Sequence, residues 1–192
     1  MDLIERKITE SIEVKRLMLG DAKIKAQILE IADRTVSCYR EHGGAVYFCG
    51  NGGSAADAQH LAAELVNRFY LEREGLASQA LTVNTSVLTA IGNDYDYERI
   101  FSRQVEAFVK PHDVVVGLST SGNSKNVIAA LAKAKERKAI AVGLTGASGG
   151  TMAALCDICI RVPSSDTPRI QECHILLGHI ICELVEARMA GG

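Results

Sequence analysis

The stretch Val114-Val-Val-Gly-Leu-Ser-Thr-Ser-Gly-Asn-Ser124 decides the fold. Its first half, Val114 to Leu118, is an unbroken apolar run too short for a helix, which reads as a strand buried on both faces. Its second half, Ser119-Thr120-Ser121-Gly122-Asn123-Ser124, sets three serines and a threonine around one glycine, and a helix pattern follows to about Lys138. Strand, polar loop and helix make the unit of an α/β sheet, and such sheets bind ligands beyond the C-terminal ends of their strands. Hydroxyls, backbone N–H groups and the positive end of a helix dipole together suit a phosphate monoester without a lysine. A turn followed by a Ser N-cap would carry the same residues. A serine nucleophile does not fit, because Gly117-Leu-Ser119-Thr-Ser121 lacks the second glycine of a nucleophile elbow.

The same unit recurs on both sides. Ala45–Cys49 reads as a strand, Gly50-Asn51-Gly52-Gly53-Ser54 as a loop, and a helix runs to about Tyr70. Ser78–Val83 is strand-like, and short helices fill 85–92 and 95–109 before Pro111. Ala139–Leu144 and Ile158–Val162 complete the strands, and a last helix spans about 167–189. The expected fold is a single-domain, three-layer α/β structure with a parallel five-stranded sheet, flavodoxin- or Rossmann-like. Two helices, 2–18 and one capped by Asp21 and stopped by Gly43-Gly44 after His42, precede the first strand. Residues 1–44 are therefore expected to be an oligomerising appendage that needs a partner surface, and 45–192 the ligand-binding part of one structural unit.

Bulk properties narrow the function. The 192 residues are 47% hydrophobic and 23% charged with a net charge of −2, which supports a full core and offers no basic face for nucleic acid. No apolar stretch reaches 18 residues without a charge, and Met1–Lys15 lacks the apolar centre of a signal peptide, so a cytoplasmic protein with no membrane span is expected. Six cysteines fall mostly in apolar segments, as reduced thiols do. Cys156-x-x-Cys159 has no second pair at zinc spacing and reads as core packing.

The loop at 50–54 formally fits a dinucleotide fingerprint, G-x-G-x-x-A through Ala55. That reading needs an acid at the end of the next strand to hold a ribose, and Asn84 stands there instead. No Gly-Lys-Ser/Thr follows, so the P-loop fails too, and no nucleotide cofactor is expected. His60 and Glu64, four apart on the helix that follows, share one face. A solvated polar stripe is their plain alternative. Gln171 and His179 lie on the last helix, and His179 sits among Leu176, Leu177, Ile180 and Ile181, where a core histidine would also sit. His174 is read as structural.

These motifs carry a family resemblance. Ser119–Ser124 resembles the signature of SIS domains, which bind phosphosugars. Gly50–Ser54, Gly92-Asn93-Asp94, Leu144-Thr-Gly146 and Arg169-Ile-Gln171-Glu172 resemble blocks of bacterial phosphoheptose isomerases, over nearly the whole chain. The resemblance implies an aldose–ketose isomerase that turns sedoheptulose 7-phosphate into D-glycero-D-manno-heptose 7-phosphate through an enediol, for surface-glycan precursors. It implies that Ser119, Thr120, Ser121 and Ser124 bind the phosphate. Asn51, Gly52, Gly53, Ser54, Asn93, Asp94 and Gln171 would line the sugar site, with Arg68 as a further polar contact. It implies Glu64 and His179 as the acid–base pair, and that some members hold zinc between His60, Glu64, Gln171 and His179. It implies a homotetramer. Pro168 departs from relatives that carry an acid before the arginine, and touches none of these four. Non-catalytic relatives bind the replication initiator or sense sugar phosphates, but the initiator-binding ones lack the Glu and the terminal His that this chain keeps.

Helix geometry adds one expectation. Gln171 and His179 are eight residues apart, which on a straight helix separates their Cα atoms by roughly 12 Å and their directions by about 80°. One of the two is then expected from a neighbouring chain, giving active sites shared between subunits.

Overall fold

The computed structural model describes residues 2–191. Five strands, β1 (Val46–Gly50), β2 (Ser78–Ala80), β3 (Val114–Ser119), β4 (Ile140–Thr145) and β5 (Ile158–Arg161), form one sheet in the order β2-β1-β3-β4-β5. Every pairing is parallel. This is a doubly wound order, and the chain reverses direction across the sheet between β1 and β3. Register sets Gly50 beside Leu118, so the two loops flagged in the sequence leave the sheet next to each other.

The helices are α1 (Leu3–Gly20), α2 (Ala22–His42), α3 (Gly53–Val66), α4 (Thr85–Asp94), α5 (Ser102–Phe108), α6 (Lys125–Glu136), α7 (Met152–Leu155) and α8 (Thr167–Ala190). Alternation along the strands splits the core in two. Val46 and Phe48 of β1, with Val114 and Val116 of β3, face α2, α3 and α8, while Cys49 and Val115 face α5 and α6. The buried Asp113 carboxylate accepts from Ala45 N at 2.8 Å and Lys110 N at 2.7 Å, tying the entries of β1 and β3 together.

The two N-terminal helices behave differently. Ile24, Ile28, Ile31, Ala32 and Cys38 of α2 are buried in the main core, and Gln27 donates to Cys159 O at 2.9 Å. The partner surface of α2 is thus its own chain, against the expected appendage. α1 begins in an Asp2–Glu5 capping box and buries only Met18, leaving Leu3, Ile4, Ile8 and Ile12 exposed. It rests on α8, where Ser11 donates to Glu172 at 2.7 Å and Arg169 to Lys7 O at 2.6 Å.

Several boundaries move from the expected ones. β2 pairs only over Ser78–Ala80, as an edge strand with one neighbour. The expected helix 95–109 breaks into a 3₁₀ turn at Tyr97–Arg99 and α5. α3 stops at Val66 rather than Tyr70, because a carboxylate and a guanidinium take over the backbone groups that would continue it. All six cysteines are free; Cys156 and Cys159 are half-buried rather than fully in the core.

Candidate active site

The first loop needs its glycines. Gly52, at the N-cap of α3, has φ +56° and ψ −122°, a conformation that L side chains rarely adopt. A Cβ on Gly53 would lie 2.5 Å from Gln171 Nε2, so the Gln171 carboxamide covers the start of α3. Asn51 and Asn126 exchange two amide hydrogen bonds at 2.9 and 2.8 Å, and Tyr97 OH donates to Asn51 Oδ1 at 3.2 Å. Those bonds lock the β1 loop to the first turn of α6.

The serine loop is held from within. Ser119 is buried, and its hydroxyl lies 2.8 Å from that of Ser124 and 3.5 Å from that of Ser121. Gly122 takes φ +67° and packs on the next loop, where a Cβ would lie 2.1 Å from Gly149 O. Ser121 is exposed and Thr120 and Ser124 half-buried. Ser124, the N-cap of α6, makes no side-chain cap bond. The positive end of α6 therefore lies beside the Thr120, Ser121 and Ser124 hydroxyls, none of them spent on capping the helix, an arrangement that receives anions.

The third element joins two helices. His60 Nε2 on α3 lies 3.0 Å from Glu64 Oε1 and 2.9 Å from His179 Nε2 on α8. Ligand atoms of all three residues lie within 4.8 Å of one another. The Phe69 ring stands 5.6 Å from the His179 ring. Close approach of the helices makes the cluster: a Cβ on Gly178 would lie 2.4 Å from Leu61 Cδ2, so glycine leaves the space that the buried Leu61 side chain fills between α3 and α8. One turn before His60, Asp57 Oδ2 is buried without a partner; burial pushes the Asp57 carboxyl up and His60 opposes it. Two imidazoles and a carboxylate are a donor set that catalytic zinc uses, with a position left for water or substrate.

Of the predicted site residues, His60, Glu64 and His179 come together, and they do so within one chain. His179 therefore needs no neighbouring chain to reach His60 and Glu64, against that half of the expectation, while Gln171 lies against Gly53. The helix-geometry argument assumed that both must reach one atom; α3 runs alongside α8, so Gln171 meets its start and His179 its later turns. Asn51 and Ser119 have their side-chain polar groups engaged within the protein, as braces for their loops. Ser54 is buried in the first turn of α3. Asn93 and Asp94 lie in the exposed last turn of α4, bonded to each other at 2.9 Å, and Arg68 is exposed beside Glu72 at 3.7 Å. Among the described residues, none of these last three bonds to the cluster. His174 is fully buried, 3.2 Å from Thr145 O, and burial pushes its pKa down to about 4, so it is a neutral core histidine as expected.

Residues 13–146, more than half of the chain, match the SIS domain family. Over 185 residues the chain is 56% identical to the phosphoheptose isomerase of Aneurinibacillus thermoaerophilus, covering 96% of this chain and 93% of that protein. The chain belongs to the phosphoheptose isomerase family. The structure of the Neisseria gonorrhoeae phosphoheptose isomerase superposes with a TM-score of 0.89 at 43% identity, over 96% of this chain and 97% of that one. That of Francisella tularensis gives 0.91 at 36% identity, over 96% of each. As a phosphoheptose isomerase family member the chain is an enzyme.

Sequence reasoning missed four residues that shape the candidate site: Asn126, Tyr97, Gly178 and Asp57. Gly178 was the most visible, being the one glycine inside the last helix, in an apolar stretch and next to His179. Asn126 and Tyr97 act through partners far away in the chain, which no local pattern announces.

Proposed function

We propose that the enzyme interconverts sedoheptulose 7-phosphate and D-glycero-D-manno-heptose 7-phosphate through an enediol, in the cytoplasm, for heptose-containing surface glycans. The observation that carries the reading is the His60–Glu64–His179 cluster, 2.9 and 3.0 Å across its links, on helices whose starts abut the phosphate-type loops. Phosphate sits at Ser121, Ser124 and Thr120 over the start of α6, with Ser119 as brace. The sugar chain extends past Gly52 and Gly53 toward the cluster, with Asn93, Asp94, Arg68 and Gln171 as the surrounding polar groups.

Glu64 takes the proton from the carbon next to the carbonyl, and His179 gives and takes the proton on oxygen. His60 fixes both, since its Nε2 touches Glu64 and His179 alike. The residues fit a divalent ion, and His60, Glu64 and His179 would hold it, with Gln171, at the start of α3, as the proposed fourth ligand. Zinc when bound would polarise the substrate oxygens and stabilise the enediolate. The catalytic pair belongs to one subunit. We also propose a homotetramer whose sites lie at subunit junctions; exposed Leu3, Ile4, Ile8 and Ile12 on α1, and exposed Val66, Tyr70 and Leu71 near the cluster, support it.

Incubation with sedoheptulose 7-phosphate, and with pentose and hexose phosphates in parallel, tests the reading. Aldose should appear from the heptulose at least about a hundred times faster, by kcat/KM, than from the shorter sugars. Preference for a pentose or hexose phosphate would overturn the substrate, and turnover of none would overturn the isomerase.

A further inference from the structure

The chain after α3 is tied down by a single buried ion pair. Glu186 on α8 and Arg73 in the loop meet at 3.1 Å, with side-chain exposures of 1% and 6%. The Glu186 carboxylate also accepts from three successive backbone N–H groups: Phe69 at 2.7 Å, Tyr70 at 2.5 Å and Leu71 at 2.8 Å. Burial pushes the Glu186 carboxyl up, but these N–H groups and Arg73 outweigh it and hold it below the usual range. Arg73 in turn donates to the carbonyls of Glu64 and Leu65 at 2.9 Å, Asn67 at 3.3 Å and Glu74 at 2.9 Å. These include the orphan acceptors that any helix leaves at its C-terminus.

The pair therefore touches both halves of the cluster. Arg73 holds the backbone of Glu64 itself. Glu186 stands seven residues beyond His179 on the same helix, roughly 10 Å along its axis. Through the N–H of Phe69 it sets the ring that stands 5.6 Å from His179, with Tyr70 edge-on to that ring at 4.4 Å. Taking two charges out of water is expensive, and packed apolar side chains of similar volume often stabilise as well. An apolar pair cannot hold three N–H groups and four carbonyls in fixed places.

We propose that Arg73 and Glu186 are positioning residues for catalysis: together they fix Glu64 on α3 against His179 on α8 and seat Phe69 on the His179 ring. The inference rests on Glu64 and His179 being the acid–base pair. Neither positioning residue touches substrate, so their loss should appear in kcat rather than KM, because small misplacements of reacting groups cost most in the chemical step.

The test compares Arg73→Lys, Glu186→Gln and native full-length enzyme by steady-state kinetics and by NMR of ¹³C-labelled histidine rings. Expected is a kcat at least about tenfold lower with KM within about threefold, and a displaced His179 resonance as the Phe69 ring current is lost. His42 and His112, stacked on each other at 3.9 Å elsewhere, should stay in place as internal controls. Near-native kcat together with an unmoved His179 resonance would overturn the proposal, even if melting temperature fell. Should neither variant fold, Phe69→Leu with the ion pair intact carries the same two readouts; native kcat there would overturn it equally. The NMR result does not depend on any substrate. An enzyme inert toward every phosphosugar would sink the isomerase reading and leave the clamp to be judged by the His179 resonance.

Discussion

The serine loop and the His60–Glu64–His179 cluster are built on opposite principles. The loop is six consecutive residues whose hydroxyls and helix end belong to one strand–loop–helix unit. The cluster draws on two helices, with His60 and His179 119 positions apart, and Gly178 leaves the room for Leu61 where those helices meet. The difference separates two tasks. An anion that does not change in the reaction is held by local backbone geometry. A proton that moves needs side chains set by tertiary packing. Damage to the loop should weaken binding, and damage to the cluster should slow chemistry.

The largest expected effect lies in the cluster. Glu64→Gln keeps size and removes the proposed base, so kcat should fall by about 10²–10⁴ with KM near native; His179→Ala should behave alike. Mixing the two variants after dissociation and reassembly should restore nothing, because each complete pair comes from one chain. Recovered activity in hybrids would show that the pair is assembled across subunits instead. The next effect is geometric. Gly178→Ala places a Cβ 2.4 Å from Leu61 Cδ2, so the buried Leu61 side chain must move or α8 must shift from α3. A kcat roughly 10–100-fold lower, with little change in KM, is expected from a displacement of that kind. Native kcat in this variant would show that the cluster tolerates helix separation.

The loop should respond in the other parameter. Ser121→Ala or Ser124→Ala removes one hydrogen bond to a charged group, which should raise KM about tenfold and leave kcat nearly intact. Unchanged KM in both would move the phosphate away from this loop.

For activity the smallest effect, none, is expected at His174, whose consequence is in stability. Burial holds the His174 pKa at about 4 against 6.5 in the unfolded chain. Between those values the unfolded chain takes up a proton that the folded one refuses. Stability is thus complete above about pH 6.5 and declines as pH falls toward 4, by on the order of 3 kcal/mol. Thermal melts of native and His174→Asn protein from pH 7.5 to 4.5 check this, and the variant should lose stability less steeply.

The fold was legible because its signals are local. Runs such as Val114–Leu118 and Ala139–Leu144 are apolar throughout and end in glycine or serine loops, and the strands lie close to where those runs predict them. The site was legible in part. His60 and Glu64 announce themselves by spacing on one helix. His179 was ambiguous among its apolar neighbours, and the family resemblance singled it out. The end of α3 was misplaced by four residues because Glu186, 120 positions beyond Val66, takes the N–H groups of the loop. That His179 meets His60 and Glu64 within one chain was missed for a related reason: the side-by-side course of α3 and α8 is a fact of packing, absent from the helix spacing of Gln171 and His179.

The role proposed for Glu64, removal of the carbon-bound proton, is open to the most direct measurement. Turnover of sedoheptulose 7-phosphate in D₂O, followed by NMR, measures that step. Native enzyme should place deuterium on the carbon next to the carbonyl, while Glu64→Gln should bind the sugar with near-native affinity and incorporate none. Deuterium entering at the native rate in Glu64→Gln, or native turnover that carries no deuterium at all, would contradict it.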